Sequence, residues 1–102
     1  MTELAEETHP LAGAVDLRHL HYFKLFAEEL HFGRAARRAH STQPALGRQV
    51  QRLEDMLGVK LFERDRKLLR LTNAGEALFA HAREMEDRIK AAVLAARSAA
   101  EN

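Results

Sequence analysis

The apolar residues that follow position 16 recur every three or four residues and so fall on one helical stripe: Leu20, Phe23, Phe26, Ala27 and Leu30. This pattern predicts an amphipathic helix over residues 17–30, with Asp16 as its N-cap. The sequence His31-Phe32-Gly33 interrupts the stripe. The small residues Ala35, Ala36 and Ala39 then predict a short second helix over residues 34–40 that packs closely against its neighbours.

A third helix is predicted over residues 43–57. Its apolar positions are spaced 4, 3 and 4 residues apart: Leu46, Val50, Leu53 and Leu57. Ser41 and Thr42 supply a turn and a cap before it, and Pro44 lies in the first turn, where its missing N–H costs little. Gly58 ends the helix as a C-cap. Two helices joined by this tight turn indicate a helix-turn-helix.

The pattern changes in the segment VKLFERDRKLLRLT, which covers residues 59–72. Charged residues interrupt its apolar positions, and Leu69-Arg70-Leu71 alternates as a strand does. We therefore predict a two-stranded β-hairpin, a wing, over residues 60–72, with Arg64 to Lys67 at or near its tip.

The last third of the chain predicts one long helix over residues 73–102, capped at Thr72 and with Asn73 and Glu76 as a candidate capping box. Its apolar residues repeat with alternating spacings of 4 and 3. This heptad seam consists of Leu78, Ala82, Met85, Ile89, Ala92 and Ala96, and it continues to Ala99. So long a stripe requires a partner helix, and the simplest partner is a second copy of the chain.

The predicted fold is therefore mainly α with a small β wing: a winged helix-turn-helix over residues 16–72, followed by a long linker helix for dimerisation over residues 73–102. Residues 1–15 have no steady apolar period and are predicted to form a flexible arm. The chain of 102 residues has no cysteine, no basic segment with an apolar core at its start, and no plain apolar run longer than residues 91–96. We expect a soluble cytoplasmic protein.

Charge is segregated along the chain although the formal net charge is only +1. The first 16 residues hold four acids and no Lys or Arg, so all 16 basic residues and the other 11 acids lie beyond them. Between Gly33 and Leu53 there are five arginines and no acid: Arg34, Arg37, Arg38, Arg48 and Arg52. A basic window of this kind indicates a polyanionic partner. The alternative for any single arginine is a surface salt bridge. It does not explain the set of five, because no acid lies within the window to pair with them locally.

On a helical wheel, the third helix turns a polar, basic and small-residue face away from the core. The candidate DNA contacts on and before its N-terminal half are Thr42, Gln43, Pro44, Gly47, Arg48, Gln51 and Arg52. Arg48 and Arg52 suit guanine or phosphate, and Gln43 and Gln51 suit adenine. The acids Glu54 and Asp55 follow in the part that leaves the groove. This order reverses the usual helix pattern, because the N-terminal half faces phosphates. The arginines of the second helix are more suited to positioning the DNA backbone.

Several motifs in this order resemble the N-terminal domain of LysR-type transcriptional regulators, over Asp16 to about Glu76. They are Leu17-Arg18 with Tyr22-Phe23, Ala35-Ala36, Gln43-Pro44-Ala45-Leu46, Leu53-Glu54, Leu57-Gly58, Leu61-Phe62 with Arg64, and Leu71-Thr72 with Ala74-Gly75. The resemblance implies helix 43–57 in the major groove, wing 60–72 near the minor groove, an antiparallel dimer of linker helices, and an imperfect palindrome near a promoter as the target. It adds Ala45, Arg64, Arg66 and Lys67 to the DNA-binding candidates.

Three positions depart from the family pattern: Gly47 replaces Ser or Thr, Gly33 replaces Thr, and Lys67 replaces Arg, with Arg66 adjacent. We expect them to affect sequence specificity and not the class of ligand. The family's second domain, which binds a small-molecule inducer, is not expected in this chain, which we interpret as a fragment.

Two other functions fit the sequence less well. An enzyme or metal protein is disfavoured because His19 and His21 are two residues apart and the other histidines are scattered, whereas helical metal-ligand pairs are usually four apart. No cofactor or metal is expected. A protein-interaction module is compatible with the heptad seam, but it does not explain a basic window without a single carboxylate.

Overall fold

A computed structural model describes residues 15–66 and 68–101 of the chain. Residues 1–14, which make up nearly all of the predicted arm, lie outside the described residues, as do Lys67 and Asn102. The described elements are α1 (Leu17–Glu29), α2 (Phe32–Arg38), α3 (Gln43–Leu57), β1 (Phe62–Asp65), β2 (Leu68–Leu71) and α4 (Asn73–Ala100). The predicted order of helices, wing and linker helix is confirmed.

The second helix begins two residues earlier than predicted. The side chain of His31 is its N-cap, because the ring Nδ1 accepts a hydrogen bond of 3.1 Å from the backbone N–H of Arg34. The helix ends at Arg38, and His40 takes the left-handed backbone conformation in the turn that follows. The prediction of residues 34–40 was wrong at both ends because it took His31-Phe32-Gly33 as a break and not as a cap and first turn.

The bounds of α3 agree with the prediction. Thr42 caps it by accepting from the N–H of Ala45 at 3.2 Å, and Gly58 closes it in the left-handed conformation. Thr72 caps α4 in the same way, through the N–H of Gly75 at 3.0 Å. The predicted capping box of Asn73 and Glu76 is wrong, because Thr72 and not Asn73 occupies the N-cap.

The core consists of two adjoining clusters that join the helices to the wing. One gathers buried side chains of α1, α3 and α4 with the start of the wing: Leu20, Phe23, Ala27, Leu53, Leu61 and Ala82. The other joins α1 to α2 and α3: Phe26, Ala35, Ala36, Leu46 and Val50. Phe62 of β1 connects the clusters, since its ring centroid lies 5.5 Å from that of Phe23 and 4.5 Å from that of Phe26. The wing is thus anchored in the core on its inner side.

The two strands pair antiparallel, from Phe62 opposite Leu71 to Asp65 opposite Leu68. Arg66 follows β1 in the turn and has a positive φ of 62°. The hairpin is as predicted, and its charged tip is exposed in the described residues.

The linker helix divides into two parts. Leu78 and Ala82 pack into the core of their own chain, and Ala82 is only 1% exposed. From Arg83 onward every described residue of the helix except Glu86 is exposed. The part of the heptad seam that is open to a partner therefore begins at Met85, and the prediction that the whole stripe faces a second copy was wrong for Leu78 and Ala82.

Candidate nucleic-acid interface

The outward face of α3 is polar and basic, as the helical wheel predicted. We define this face as Gln43, Pro44, Gly47, Arg48, Gln51 and Arg52. All of these are exposed except Gly47, which is half-buried. On the opposite side Leu46, Val50 and Leu53 are buried, so the core fixes the rotation of the helix. Thr42 is exposed at the N-terminus and Ala45 is half-buried beside it.

A groove of about 780 Å³ separates α3 from the wing. One wall is formed by residues of the outward face of α3, including Pro44, Gly47 and Arg48, and the other by Lys60 and Arg64. Aromatic side chains from the core also line the groove, among them those of Phe32 and Phe62. Both walls carry basic side chains, although Glu54 and Glu63 also line the groove. Arg48 and Arg64, on opposite walls, favour a polyanion along it.

The wing arginine Arg64 is held by an aromatic ring of α2. Its guanidinium lies 5.6 Å from the centroid of the Phe32 ring, within the range of a cation–π interaction. Such a contact is worth about 0.5–1 kcal/mol at an exposed site. It orients the wing relative to the helix-turn-helix. Arg66 is exposed at the tip, and the candidate Lys67 lies outside the described residues.

Glu54 fastens the wing to α3, which sequence reasoning missed. Its Oε2 accepts hydrogen bonds from the backbone N–H groups of Leu61 at 2.8 Å and Phe62 at 3.3 Å, and its side chain is only 10% exposed. Lys60 Nζ lies 3.8 Å from Oε1. The reversed charge order of α3 therefore has a second cause, because Glu54 near the end of the helix hydrogen-bonds to the backbone at the start of the wing. In the sequence, Glu54 was marked by its position directly after Leu53 and by the Leu53-Glu54 motif of the family resemblance.

Two arginines of α2 are paired with acids of α1, so the argument from the acid-free window was wrong for them. Arg34 Nε lies 3.1 Å from Glu29 Oε1, and Arg38 Nη1 lies 2.8 Å from Glu28 Oε1 and 3.1 Å from Glu29 Oε2. The hydrogen bond from Arg34 holds the pKa of Glu29 below its ordinary value, and that to Glu28 raises the pKa of Arg38. These acids lie just before the window in sequence.

The arginines of α3 differ from Arg34 and Arg38 in their ion pairing. Among the ion pairs of the described residues, none involves Arg48 or Arg52. Both side chains are exposed on the outward face. Together with Arg37, which is also exposed and in none of these ion pairs, they are the positive charges of the basic window that are most available to an external anion, whereas Arg34 shares its charge with Glu29.

The linker helix is joined to α1 through Glu86. Its carboxylate lies 2.5 Å from Lys24 Nζ and 2.6 Å from His21 Nδ1. Burial raises the pKa of Glu86, but the hydrogen bonds from Lys24 and His21 together lower it by more. The pKa of Glu86 therefore lies below its ordinary value. The hydrogen bond to Glu86 raises the pKa of Lys24. This cluster fixes the start of the exposed half of α4 against the helix-turn-helix.

An apolar groove of about 460 Å³ lies beside that cluster, between α1 and α4. Its apolar lining includes Leu17, Leu20, Ala82, Met85 and Ile89. Leu17 is 55% exposed, Met85 40% and Ile89 38%. Val93 and Leu94 extend the exposed apolar surface along α4. Ala92 and Ala96 of the predicted seam are exposed there as well.

In residues 15–66 and 68–101, no group of three or more His, Cys, Asp or Glu side chains is placed to hold a metal ion. The rings of His19 and His31 instead accept backbone hydrogen bonds at helix starts. None of the described helices has the length and apolarity needed to cross a bilayer.

Comparison with known proteins gives concordant results. The sequence model described as "Bacterial regulatory helix-turn-helix protein, lysR family" matches residues 17–76. The HTH-type transcriptional regulator AlsR of Bacillus subtilis (strain 168) is 51% identical over 69 residues, which cover 68% of this chain and 23% of AlsR. The chain thus spans about a quarter of the length of that relative.

Two solved structures have the same fold and contain DNA. The crystal structure of the BenM_DBD/benA site 1 DNA complex matches with a TM-score of 0.80 and 34% identity, over 84% of this chain and 97% of that one. The CbnR_DBD–DNA complex matches with a TM-score of 0.76 and 38% identity, over 84% and 99% of the two chains.

Proposed function

The chain belongs to the LysR family of bacterial helix-turn-helix regulatory proteins, and we propose that it binds a palindromic promoter site in double-stranded DNA as a homodimer. The observation that carries this proposal is the outward face of α3, on which Arg48 and Arg52 are exposed among polar and small residues. The proposed role is transcriptional regulation, with no catalytic activity. Because the target is chromosomal DNA, the proposal places the protein in the cytoplasm.

The N-terminal half of α3 is the part that we assign to the major groove. A recognition helix presents its N-terminal residues to base edges. Here the exposed side chains of Gln43, Arg48 and Gln51 are of the types that hydrogen-bond to adenine and guanine. Thr42 and Pro44 lie at the start of the helix, where the positive end of the helix dipole favours a phosphate.

The wing supports the same orientation. It stands across the groove from α3 with Arg64 on its inner wall. We assign Arg64 and Arg66 to phosphate or minor-groove contacts, with Lys67 as a further candidate. Arg34 is assigned to the DNA backbone, in competition with its ion pair to Glu29. Ala45, half-buried beside Thr42, completes the candidate set.

Dimerisation is assigned to the exposed half of α4. An apolar stripe that includes Met85, Ile89, Ala92 and Ala96 lies open in the described structure, and the groove beside α1 continues it. Burying such a stripe against a second copy yields about 25 cal/mol per Å² of apolar surface. A twofold dimer then presents two α3 helices to two half-sites, which is why the proposed target is a palindrome.

The proposal is tested by selecting duplexes from a random pool with the purified chain and measuring binding by fluorescence anisotropy. We expect a symmetric preferred sequence that binds roughly a thousandfold more tightly than a shuffled duplex of equal length at physiological salt. Arg88→Ala is the control variant: it removes an exposed arginine of the linker helix, outside the outward face of α3, and should keep the same sequence preference. Selection that enriches no sequence, or equal affinity for selected and shuffled duplexes, would contradict sequence-specific reading.

A further inference from the structure

Gly47 is the one glycine of the described residues that nothing in the fold explains. A Cβ on Gly75 would lie 2.2 Å from the carbonyl oxygen of Leu61, and Gly58 has a φ of +74°. A Cβ on Gly33 would lie 3.1 Å from the ring of His31. At Gly47 a Cβ would meet no atom within 4 Å, and the backbone is helical.

Glycine at this position carries a stability cost. In a helix interior it is about 1 kcal/mol less favourable than alanine. Alanine would fit Gly47 without a steric clash, since the space around its Cβ position is open. The fold therefore favours replacement of this residue, and a requirement for glycine must come from outside the chain.

The position of Gly47 indicates what that requirement is. It lies on the outward face of α3, one turn after Pro44 and one turn before Gln51, and beside Arg48. All four residues line the groove between α3 and the wing. The missing side chain leaves a gap on this face, which we call the notch: the side chains of Pro44 and Gln51 lie more than 4 Å from the position that a Cβ of Gly47 would take, so helix backbone is open there.

We propose that this notch is a specificity-determining subsite that admits the C5-methyl group of thymine in the major groove. This inference rests on the proposed function, because it requires α3 to face base edges. Thymine is the base that presents an apolar group there, and it is recognised by apolar contact. The absence of a side chain lets the α3 backbone approach the base pair more closely than a residue with a Cβ would allow.

The test uses uracil, which differs from thymine by that methyl group alone. Each thymine of the selected half-site is replaced by uracil in turn, and affinities are measured for the wild-type chain and for Gly47→Ala. In the wild type, one replacement per half-site is expected to weaken binding about fourfold, and about fifteenfold when both half-sites carry it. Gly47→Ala is expected to bind the thymine duplex less tightly and to lose the difference between thymine and uracil.

Stability separates this effect from misfolding. Gly47→Ala is expected to melt at a higher temperature than the wild type, so that weaker DNA binding cannot follow from unfolding. Gln49→Ala is the matched control: Gln49 lies on α3 outside the outward face, so its replacement changes helix propensity without changing the notch. It is expected to keep both the affinity and the response to uracil.

The outcomes distinguish this inference from the function on which it rests. If the wild type prefers its selected duplex over a shuffled one but is indifferent to uracil at every position, the methyl subsite is overturned and the proposed function stands. The same conclusion follows if Gly47→Ala binds as tightly as the wild type with the same response to uracil. If the wild type prefers no sequence, the proposed function fails and the subsite fails with it.

Discussion

Replacing Glu54 with alanine should loosen the wing from α3 and thereby weaken both folding and DNA binding. In the folded chain the carboxylate accepts hydrogen bonds from the backbone N–H groups of Leu61 and Phe62. Leu61 is only 1% exposed, so water cannot replace the lost acceptor without a local rearrangement. The two N–H groups stand where the chain turns from α3 into β1.

The size of the effect follows from these contacts. A buried donor left without a partner costs about 1–3 kcal/mol. The 2.8 Å bond to Leu61 is well formed, whereas the 3.3 Å bond to Phe62 is longer and contributes less. We therefore expect Glu54→Ala to lower the free energy of unfolding by about 2–4 kcal/mol. Glu54→Gln keeps one acceptor oxygen, and we expect a loss of about 1 kcal/mol.

The assay is urea unfolding monitored by circular dichroism, with DNA affinity measured in parallel under folding conditions. Asp55→Ala is the matched control, because Asp55 is the neighbouring acid and is exposed. It should change the free energy of unfolding by less than about 0.5 kcal/mol. A Glu54→Ala chain that unfolds at the same urea concentration as Asp55→Ala would show that Glu54 does not hold the wing.

Three further outcomes are expected. Arg48→Ala and Arg52→Ala should each weaken binding to the selected duplex by about 1–3 kcal/mol if the arginine contacts a base. An equal loss of affinity on shuffled DNA would assign that arginine to phosphate. A variant that loses no affinity would contradict the assignment of its arginine to the interface. Ile89→Asp should convert the dimer to a monomer in sedimentation experiments, and an unchanged mass would remove α4 as the interface. Glu86→Gln should lower the free energy of unfolding by about 1 kcal/mol at pH 7, after allowance for solvent screening. Because the folded-state pKa of Glu86 is lowered, its stabilisation is present above the ordinary pKa of about 4.5 and is lost as the pH falls through the folded value. The difference from wild type should therefore shrink as the pH falls below about 4.5, and a difference that stays constant as acid is added would contradict the ion-pair account.

Local patterns in the sequence were sufficient for the helices and the hairpin. The 4-3-4 spacing of Leu46, Val50, Leu53 and Leu57 set the rotation of α3, and the structure keeps the first three of these residues buried. The outward face of α3 followed from that rotation alone. The signals for helix ends were weaker: histidine is an uncommon N-cap, so the cap at His31 and the start of α2 at Phe32 were missed.

Contacts between distant residues could not be predicted in the same way. The pairing of Arg34 and Arg38 with Glu28 and Glu29 depends on how α1 and α2 cross, which an acid-free window in one segment does not reveal. Glu54 likewise acts across a turn on backbone groups seven and eight residues later.

The heptad spacing of α4 showed a further limit of sequence patterns. It correctly indicated an apolar stripe on the helix. It did not indicate which residues of that stripe pack into their own chain and which remain open. In the structure Ala82 belongs to the core, whereas Met85 and Ile89 are exposed.

The most direct test of the central claim, that the outward face of α3 reads DNA as part of a dimer, is a salt titration of affinity on the selected palindrome and on random duplex of equal length. We predict that log K falls steeply and linearly with log salt on both, because basic side chains release counterions from phosphates. The palindrome should also bind roughly a thousandfold more tightly at physiological salt. Affinity that does not depend on salt, or a palindrome bound no better than random DNA, would contradict the account.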